Sequence, residues 1–291
     1  MNKQSKIIGF IGQGWIGKHY ADNFEERGYT VIRYSLEEPY IKNRDKISEC
    51  DIVFIAVPTP TNPEGFNDSI VREAIKLVGE GKIAVIKSTI LPGTTESIQK
   101  ENPRIYVLHS PEFLREASAA YDTANPTRNI VGIPIDNEEY QKKAKLVMSI
   151  LPKAPHNIIC KACEAELIKY GSNCMLYLKV IYANILYDCA RKLKCDWKKV
   201  KAGIATDPRI GESHLEPIHQ SGRGAGGHCF IKDFAAFVQM YKKITSDELG
   251  SKVLGALENK NIDLLINSNK DLDLLTGVYG EEVIKKFKNL N

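Results

Sequence analysis

The sequence predicts an α/β protein in which a doubly wound parallel sheet is followed by a mainly helical domain. Short apolar runs alternate with helical patterns in the first half of the chain, and a glycine-rich turn follows the first run. The second half shows helical patterns without further strands. The 291 residues suffice for two domains, which we place at residues 1–155 and 156–291.

The chain opens with a strand, a glycine turn, a helix and a second strand, within KIIGFIGQGWIGKHYADNFEERGYTVIRY. Gly12 permits the tight turn, Gly14 lets a pyrophosphate approach the backbone, and Gly17 allows the helix to pack against the strand. An apolar strand precedes the GxGxxG pattern and an amphipathic helix follows it, which is the context that the pattern requires. The first domain is therefore predicted to be a Rossmann-like dinucleotide-binding domain.

The end of the second predicted strand bears on the choice between NAD and NADP. NAD-binding chains usually carry an acidic residue there to hold the ribose hydroxyls, whereas this chain has Arg33, Tyr34 and Ser35. Arg33 and Ser35 would suit a 2′-phosphate, while Glu37 and Glu38 a little further on would suit NAD. The sequence predicts NAD, with NADP as the alternative.

The remaining elements follow from the spacing of apolar residues. Strands are predicted at 6–11, 30–34, 52–57, 83–87, 105–108 and 130–133. The segment LPKAPHN ends this pattern, and residues 163–193 are predicted to form one helix of about 46 Å at 1.5 Å per residue. Later helices are predicted over IKDFAAFVQMY, LGSKVLGALENKNIDLLI and EEVIKKFKNL.

One cysteine, Cys229, lies behind the glycine-rich loop GRGAGGHC and just before the helical pattern that starts at Ile231. A thiolate near a helix N-terminus is favoured by unpaired N–H groups, and Lys232 adds positive charge nearby. The glycines are expected to let the backbone approach a ligand closely. A cysteine taken alone is more often a small buried apolar residue. Its neighbours, including Asp233, favour a reactive thiol here.

Several segments together resemble the nucleotide-sugar 6-dehydrogenases, the UDP-glucose and GDP-mannose dehydrogenase family, from residue 7 to about residue 245. The matching segments are GQGWIG at 12–17, VPTPT at 57–61, KSTILPGTT at 87–95, SPEFLRE at 110–116, AELIKYGSN at 165–173, and RIG at 209–211 ahead of the Cys229 loop. The resemblance implies a four-electron oxidation of a sugar primary alcohol to a carboxylate, with two cofactor molecules and a cysteine-bound intermediate.

The resemblance also implies roles for individual residues. Lys169 and Asn173 would stabilise negative charge on the substrate oxygen. Glu112 would serve acid–base chemistry. Its spacing of four residues from Glu116 predicts that the two glutamates share one turn of helix. Asp233 would orient Lys169 or activate water. The implied catalytic set is Cys229, Lys169, Asn173, Glu112, Asp233 and Thr89. The implied cofactor-binding set is Gly12, Gly14, Trp15, Ile16, Gly17, Tyr34, Ser35, Pro58, Thr59, Thr89, Glu116 and Lys232. The implied substrate-binding set is Glu112, Phe113, Leu114, Lys169, Asn173, Arg209, Arg223 and Gly226.

Other interpretations remain open. A Lys-x-x-x-Asn pair on the helix after the dinucleotide domain also occurs in two-electron β-hydroxyacid dehydrogenases and reductases, which have no use for Cys229. A non-catalytic dinucleotide-binding paralogue or a purely structural dimerisation module would have no need of the whole catalytic set. At Lys169 itself, an ordinary surface ion pair with Glu166 is the alternative to a catalytic role.

Length and composition bound the partners. The resembled family carries a further nucleotide-binding domain, which we expect to be absent or supplied by another chain. The long loop from Arg209 to Cys229 is expected to close over the substrate instead. By the same resemblance, the long helix is expected to form a homodimer interface, with Leu176, Tyr177, Val180, Ile181 and Leu186 as packing residues. A net charge of +4 gives no case for nucleic acid.

The sequence predicts a cytoplasmic protein without a membrane segment. No signal peptide pattern and no apolar run near 20 residues is present. Seven cysteines form an odd, irregular set that is typical of reduced thiols. Cys160 and Cys163 invite a metal interpretation, but no second pair with zinc-ligand spacing follows, so no metal is predicted.

Overall fold

Apolar segments of the first half of the chain form one principal sheet in the computed structural model, which describes residues 6–288. Two short hairpins supply the remaining strands. The strands are β1 (Ile7–Ile11), β2 (Thr30–Tyr34), β3 (Ile52–Ile55), β4 (Thr61–Asn62), β5 (Gly65–Phe66), β6 (Ile83–Ile86), β7 (Tyr106–His109), β8 (Arg128–Ile133), β9 (His156–Lys161), β10 (Ile218–His219) and β11 (Gly222–Arg223).

Helices connect these strands and make up most of the second half of the chain. They are α1 (Trp15–Glu26), α2 (Ser69–Ile75), α3 (Thr94–Glu101), α4 (Ala119–Ala124), α5 (Glu138–Ile150), α6 (Ala162–Lys192), α7 (Trp197–Ala205), α8 (Gly227–Ile244), α9 (Glu248–Asn267), α10 (Leu272–Tyr279) and α11 (Glu282–Lys288). Short 3₁₀ helices span Ile41–Asn43, Asp45–Glu49 and Glu116–Ser118. The predicted last helix also included Asn289 and Leu290, which lie outside the described residues.

The principal sheet confirms the predicted α/β class. Within residues 6–288 it has seven strands in the order β2-β1-β3-β6-β7-β8-β9. The first five of these run parallel, with β1 pairing with both β2 and β3. The strand order therefore reverses at β1 and β3. In open α/β sheets, the crevice outside the carboxyl ends of the strands at such a reversal is where ligands bind.

The far edge of the sheet contains one antiparallel pairing in addition to the predicted parallel ones. Strand β8 pairs with β7 in the antiparallel sense, through His109 and Gly132, and β9 then runs parallel to β8. The sequence did not predict β9. The prolines of LPKAPHN come just before it, and its half-exposed edge position allows polar residues such as His156 and Asn157.

Buried aromatic rings fill the core between the sheet and its first helix. The rings of Phe10 and Phe54 stack with their centroids 5.1 Å apart, and Phe24 of α1 packs edge-on against Phe10 at 5.5 Å. All three side chains are fully buried. Burying a side chain of this size stabilises the fold by about 1.5–3 kcal/mol. The apolar strands predicted from the sequence thus form the core that supports the glycine turn between β1 and α1.

The described residues divide into two compact units. The first comprises the described residues through Thr59 together with Asn67–Lys169, and the second comprises Pro60–Phe66 and the described residues from Tyr170 onward. Strand β9 lies after the boundary predicted between residues 155 and 156, and the division falls within α6. Helix α6 itself matches the long helix predicted at 163–193.

The second unit is mainly helical, as predicted. Apolar residues of α8, α9, α10 and α11 share one core, which includes Ile231, Leu265, Leu275 and Val283. The β4–β5 hairpin belongs to this unit and packs against α8 and α10. Among residues 6–288, no helix has both the length and the apolar character needed to span a bilayer.

Candidate active site

The turn between β1 and α1 has the geometry of a pyrophosphate-binding loop. Gly12 has a φ of 91°, and a Cβ on Gly17 would lie 1.9 Å from the Gly12 carbonyl oxygen. Both positions therefore require glycine. The space where a Cβ of Gly14 would lie is open to 4 Å, and Gly14 caps α1 without a side-chain hydrogen bond. The first N–H groups of the helix can thus receive an anion.

Trp15 and Ile16, two further predicted cofactor-binding residues, differ in their exposure. Trp15 begins α1 and is 58% exposed, while Ile16 packs against the core of the first unit. Contact between Trp15 and a bound dinucleotide stays a prediction, whereas Ile16 mainly holds the helix on the sheet.

The end of β2 argues against the NADP alternative. The guanidinium of Arg33 is engaged by two carboxylates, 2.7 Å from Asp22 and 2.6 Å from Glu25. It is also buried, so it is already neutralised and is not free to receive a 2′-phosphate. Tyr34 is buried at the end of the strand, and the exposed Ser35 hydroxyl bonds to the backbone of Glu37. This arrangement favours NAD.

The loops that follow β3 and β6 are tied together. The Thr59 hydroxyl donates to the Thr89 carbonyl oxygen at 2.8 Å, and the Ser88 hydroxyl donates to the Val57 carbonyl oxygen at 2.7 Å. Pro58 is exposed beside these bonds, whereas Thr59 and Thr89 are buried. The predicted cofactor-loop residues therefore meet at the carboxyl ends of two neighbouring strands. The sequence did not identify Ser88, which supplies one of the links.

In the first unit, Glu112 and Lys169 form a buried ion pair. The Lys169 ammonium lies 3.0 Å from Oε1 of Glu112 and donates to its backbone carbonyl oxygen at 2.6 Å. The side chains are only 7% and 5% exposed. Oε2 of Glu112 accepts the N–H of Leu114 at 2.6 Å, which fixes the carboxylate. Glu112 thus orients Lys169, a role that the sequence assigned to Asp233.

A cavity of about 230 Å³ adjoins this pair. It is lined by Glu112, Phe113 and Leu114, three of the predicted substrate-binding residues, and also by Arg128. The guanidinium carbon of Arg128 lies 3.7 Å from the centroid of the Phe113 ring. The structure therefore brings this predicted group together around one cavity of the first unit.

The two glutamates of SPEFLRE have different environments. Glu112 lies in an irregular segment and is buried, whereas Glu116 begins a 3₁₀ helix and is exposed. The expectation that they share one helical turn is wrong, because the proline and buried residues at the start of the segment leave it outside any helix. A contact between Glu116 and the cofactor stays a prediction.

The sequence did not identify Lys87, which lies close to this group. Its ammonium donates to the Ser110 carbonyl oxygen at 2.9 Å and lies 4.2 Å from the centroid of the Tyr20 ring. Burial lowers the pKa of Lys87 to about 7, and the charge of Glu112 opposes this shift. Because Lys87 directly follows the apolar run IAVI, a lysine at the carboxyl end of a buried strand was the signal available.

Glu166 proves to be buried and structural. Its carboxylate accepts the N–H groups of Gly93 at 2.6 Å and Thr95 at 2.9 Å, and the Thr95 hydroxyl at 2.5 Å. It therefore holds the first turn of α3. The surface ion pair between Glu166 and Lys169 that the spacing allowed is wrong, since Lys169 pairs with Glu112.

Cys229 lies in the first turn of α8, which begins at Gly227 and not at Ile231 as the apolar pattern indicated. The thiol is exposed. By contrast, burial raises the pKa of the Cys50 and Cys174 thiols to about 12, so these two are chemically inert. Cys229 therefore lies at the N-terminus of a helix, a position that favours the thiolate and suits a nucleophilic cysteine.

A polar group follows Cys229 in the second unit. The buried carboxylate of Asp233 accepts the Asn173 amide at 2.7 Å and the Lys232 ammonium at 2.5 Å. Lys232 is thus paired with its neighbour, which screens its charge. Asn173 lies one turn after Lys169 along α6, as the motif predicted.

The two predicted substrate arginines are placed differently. Arg209 is largely exposed and pairs with Asp207 at 2.6 Å. The Arg223 guanidinium bonds to the Asn184 side-chain oxygen at 2.8 Å and pairs with Asp188 at 2.9 Å. Because its donors are engaged by α6, Arg223 is better explained as an anchor of the loop than as a substrate ligand. Substrate contact by Arg209 and by Gly226 stays a prediction.

The described residues hold no cluster of three or more His, Cys, Asp or Glu side chains that could bind a metal ion. Burial raises the pKa of the Cys160 thiol to about 11 and also raises the pKa of Cys163. Both thiols are thus in the protonated form, which is a poor metal ligand.

Comparisons with known proteins identify the family of this chain. Residues 40–150 match the NAD binding domain of the UDP-glucose/GDP-mannose dehydrogenase family, and residues 163–262 match its central domain. The UDP-glucose 6-dehydrogenase TuaD of Bacillus subtilis is 34% identical over 81% of this chain and 59% of its own length. The match to the UDP-glucose 6-dehydrogenase of Rickettsia bellii covers 58% of that protein. The chain thus spans little more than half the length of these curated relatives.

Solved structures show the same fold. A UDP-glucose dehydrogenase from Pyrobaculum islandicum aligns with a TM-score of 0.76 and 26% identity, over 92% of this chain and 72% of that one. The 3-hydroxyisobutyrate dehydrogenase of Mycobacterium tuberculosis aligns over 97% and 99% of the two chains with a TM-score of 0.68, but at 16% identity this likeness shows the fold alone. The predicted NAD binding domain and the resemblance stated from the motifs are confirmed. The chain belongs to the UDP-glucose/GDP-mannose dehydrogenase family.

Proposed function

We propose that the protein oxidises the primary alcohol of a nucleotide sugar to a carboxylate with NAD, through an intermediate covalently bound to Cys229. The observation that carries this proposal is the exposed thiol in the first turn of α8, followed by the Asp233–Asn173 group. A two-electron dehydrogenase has no use for a nucleophilic cysteine at this point of the chain.

The residues of the first unit suit NAD. The open face of Gly14 and the N-terminus of α1 would hold the pyrophosphate, Ser35 lies where the adenosine ribose would bind, and the Thr59–Thr89 loops would line the nicotinamide region. Bound there, NAD supplies a hydride acceptor at its nicotinamide, one molecule for each of the two oxidations. The neutralised Arg33 does not offer its charge to a 2′-phosphate.

Lys169 and Asn173 serve the first oxidation by stabilising the negative charge that develops on the substrate oxygen. The alcohol oxygen loses its proton and the carbon loses its hydrogen with the bonding electrons, which leaves an aldehyde. A fixed ammonium and an amide donor are suited to this task in a site with little water. Glu112 holds the ammonium and Asp233 holds the amide, so neither donor has to be ordered during the reaction.

Cys229 makes the second oxidation possible. Its sulfur bonds to the aldehyde carbon and the carbonyl oxygen takes up a proton, which gives a thiohemiacetal. Loss of the carbon-bound hydrogen with its electron pair, and of the hydroxyl proton, leaves a thioester. Water then adds to the carbonyl carbon and the carbon–sulfur bond breaks, which releases the carboxylate and restores the thiol. A carboxylate that accepts a proton from this water assists the step, and Glu112 is our choice for it.

The proposal includes a cytoplasmic homodimer formed through α6. Leu167, Met175, Tyr182 and Ile185 are large apolar side chains that stay exposed on this helix, and their spacing places them on one face of it. The residues predicted from the resemblance, including Tyr177, Val180 and Ile181, are instead buried within the chain. The exposed set is therefore the interface that we propose.

Product analysis of Cys229→Ser tests the covalent mechanism. With excess NAD and a nucleotide sugar, we expect the variant to stop acid formation while retaining part of the first oxidation, because a hydroxyl is far less nucleophilic than a thiolate. Cys195→Ser, a second exposed cysteine, is the matched control and should form acid at the wild-type rate. Acid formation by Cys229→Ser at the wild-type rate would exclude the thioester and favour a two-electron dehydrogenase.

A further inference from the structure

Side chains of residues 261–271 hold the backbone of the glycine-rich loop that precedes Cys229. The amide of Asn261 bonds twice to Ala225, accepting its N–H at 2.7 Å and donating to its carbonyl oxygen at 3.0 Å. The Ser268 hydroxyl accepts the N–H of Arg223 at 2.9 Å. Asn261 is buried, and its two hydrogen bonds satisfy the backbone N–H and carbonyl groups of Ala225 as a neighbouring strand would.

Two charged residues extend the same set of contacts. The buried Lys270 ammonium donates to the Gly224 carbonyl oxygen at 3.1 Å, and Asp271 accepts the N–H of Gly227 at 2.8 Å. Asp271 precedes α10 with a φ of 51°, yet its carboxylate does not cap that helix. It reaches instead to the first residue of α8, two residues before Cys229. The left-handed backbone conformation of Asp271 is strained, and it directs the carboxylate to the N–H of Gly227.

These side chains also explain why the loop is rich in glycine. A Cβ on Gly222 would lie 2.5 Å from the Ser268 hydroxyl oxygen, and one on Gly226 would lie 2.0 Å from the Asp271 carboxylate. A Cβ on Gly224, whose φ is 93°, would lie 3.0 Å from the Asn261 side-chain oxygen. Glycine at these positions therefore lets the side chains of residues 261–271 approach the loop backbone. Close approach of a ligand to the same loop stays a prediction.

The helices that flank the loop share a buried apolar core. Ile262, Leu265 and Ile266 of α9 share one buried core with Ile231 and Ala235 of α8. The helix that carries Cys229 and the helix that carries Asn261 are thus packed together behind the loop. The matched central domain ends at residue 262, so Ser268, Lys270 and Asp271 lie beyond it.

We propose that Asn261, Ser268, Lys270 and Asp271 form a loop clamp, a set of positioning residues that fix residues 223–227 and thereby hold the first turn of α8 in the form that makes Cys229 reactive. The clamp does not touch the substrate. The proposal rests on the proposed role of Cys229 as the nucleophile, but its test needs neither substrate nor turnover.

Site-resolved alkylation of the full chain measures the effect directly. The protein is treated with limiting iodoacetamide, and mass spectrometry gives the modification of Cys229 relative to Cys195, which is also exposed. Cys50 and Cys174 are buried and become modified only if the protein unfolds. We expect Asn261→Ala and Asp271→Ala to lower the Cys229/Cys195 ratio by about tenfold, since the loosened turn no longer aligns its N–H groups with the thiolate.

Conservative variants separate positioning from general destabilisation. Asp271→Asn keeps an oxygen that accepts the Gly227 N–H, so its ratio should stay within twofold of wild type, as should that of Asp273→Asn, an exposed aspartate nearby. Ser268→Thr keeps the hydroxyl and should match wild type, whereas Ser268→Ala should lower the ratio. If modification of Cys174 shows that Asn261→Ala unfolds, the comparison of Ser268→Ala with Ser268→Thr still tests whether the clamp positions Cys229.

Two outcomes would overturn the proposal. One is a ratio that stays within twofold of wild type, or rises, in Asn261→Ala and Asp271→Ala while Cys174 remains protected. The other is an equal ratio for Ser268→Ala and Ser268→Thr. If Cys229→Ser still forms acid, the proposed function fails, but the alkylation ratios continue to test the clamp by themselves.

Discussion

At the scale of single residues, the Glu112–Lys169 pair is the contact on which the first unit's chemistry depends. Lys169→Met leaves a buried carboxylate without its ammonium, which should lower the free energy of unfolding by about 3–5 kcal/mol. It also removes a donor to the developing oxyanion, which should lower kcat by about 10²–10³-fold. Urea unfolding and steady-state kinetics measure the two effects.

The double variant Lys169→Met/Glu112→Gln is the control for this prediction. It removes the buried charge together with its partner, so it should recover much of the lost stability and none of the lost turnover. Wild-type kcat in Lys169→Met would show that the lysine is structural.

Glu166 should make the stability of the protein depend on pH. Burial raises the pKa of Glu166 to about 7, against the hydrogen bonds from Thr95 and Gly93, which lower it. Since the pKa of this group is higher in the folded state, its contribution to stability is fully present below about pH 4.5 and is lost as the pH rises to about 7. The change amounts to about 3 kcal/mol.

The measurement is the difference in unfolding free energy between wild type and Glu166→Gln from pH 4.5 to pH 8. We expect the unfolding free energy of the variant to rise relative to that of wild type as the pH rises through this window, because glutamine does not ionise. Glu164→Gln replaces an exposed glutamate on the same helix and should show no comparable trend. A difference for Glu166→Gln that stays constant over the window would contradict the prediction.

At the scale of elements, the β1–α1–β2 unit should bind NADH more tightly than NADPH, and Arg33 should not affect this preference. Arg33 is already paired with Asp22 and Glu25, so Arg33→Ala should leave the ratio of the two dissociation constants within about a factor of three, less than 1.4 kcal/mol. Quenching of the exposed Trp15 reports binding, with Trp15→Phe to identify its share of the signal.

Arg44→Ala, an exposed arginine further along the same segment, is the matched control. Tighter binding of NADPH that disappears in Arg33→Ala would restore the 2′-phosphate interpretation of the sequence.

The elements also show how far sequence reasoning reaches. The glycine turn and six of the seven strands of the principal sheet follow from local patterns, because buried strands of such a sheet are mostly apolar. Strand β9 was not predicted, because it is a half-exposed edge strand that contains polar residues. The start of α8 was placed four residues late, because Gly226 and Gly227 read as helix breakers although they begin the helix.

The partners of the site residues were harder to predict than the residues themselves. The sequence identified Glu112, Lys169 and Asp233, but pairings such as Glu112 with Lys169 join residues far apart in the chain, and no local pattern encodes them. The reason for the loop glycines was missed for the same cause, since the side chains that crowd these positions lie far away in the sequence, as Ser268 does from Gly222.

At the scale of the whole molecule, we expect a homodimer that depends on the exposed apolar residues of α6. Tyr182→Glu places a charge within this set and should convert the dimer to a monomer, because an unpaired charge is costly to bury in an interface. Light scattering coupled to size-exclusion chromatography measures the mass. Leu193→Glu, an exposed apolar residue just beyond α6, should leave the dimer intact. An unchanged mass in Tyr182→Glu would place any dimer interface elsewhere.

The β4–β5 hairpin has a consequence for the order in which the protein matures on the ribosome. Residues 60–66 belong to the second unit, yet they emerge well before α8 and α10, against which they pack. At usual rates of translation this interval lasts roughly ten to thirty seconds. The first unit, whose residues end at Lys169, can close during that interval, while the hairpin waits without its partners. The nascent chain therefore exposes this short β segment to chaperones until α8 and α10 have been synthesised.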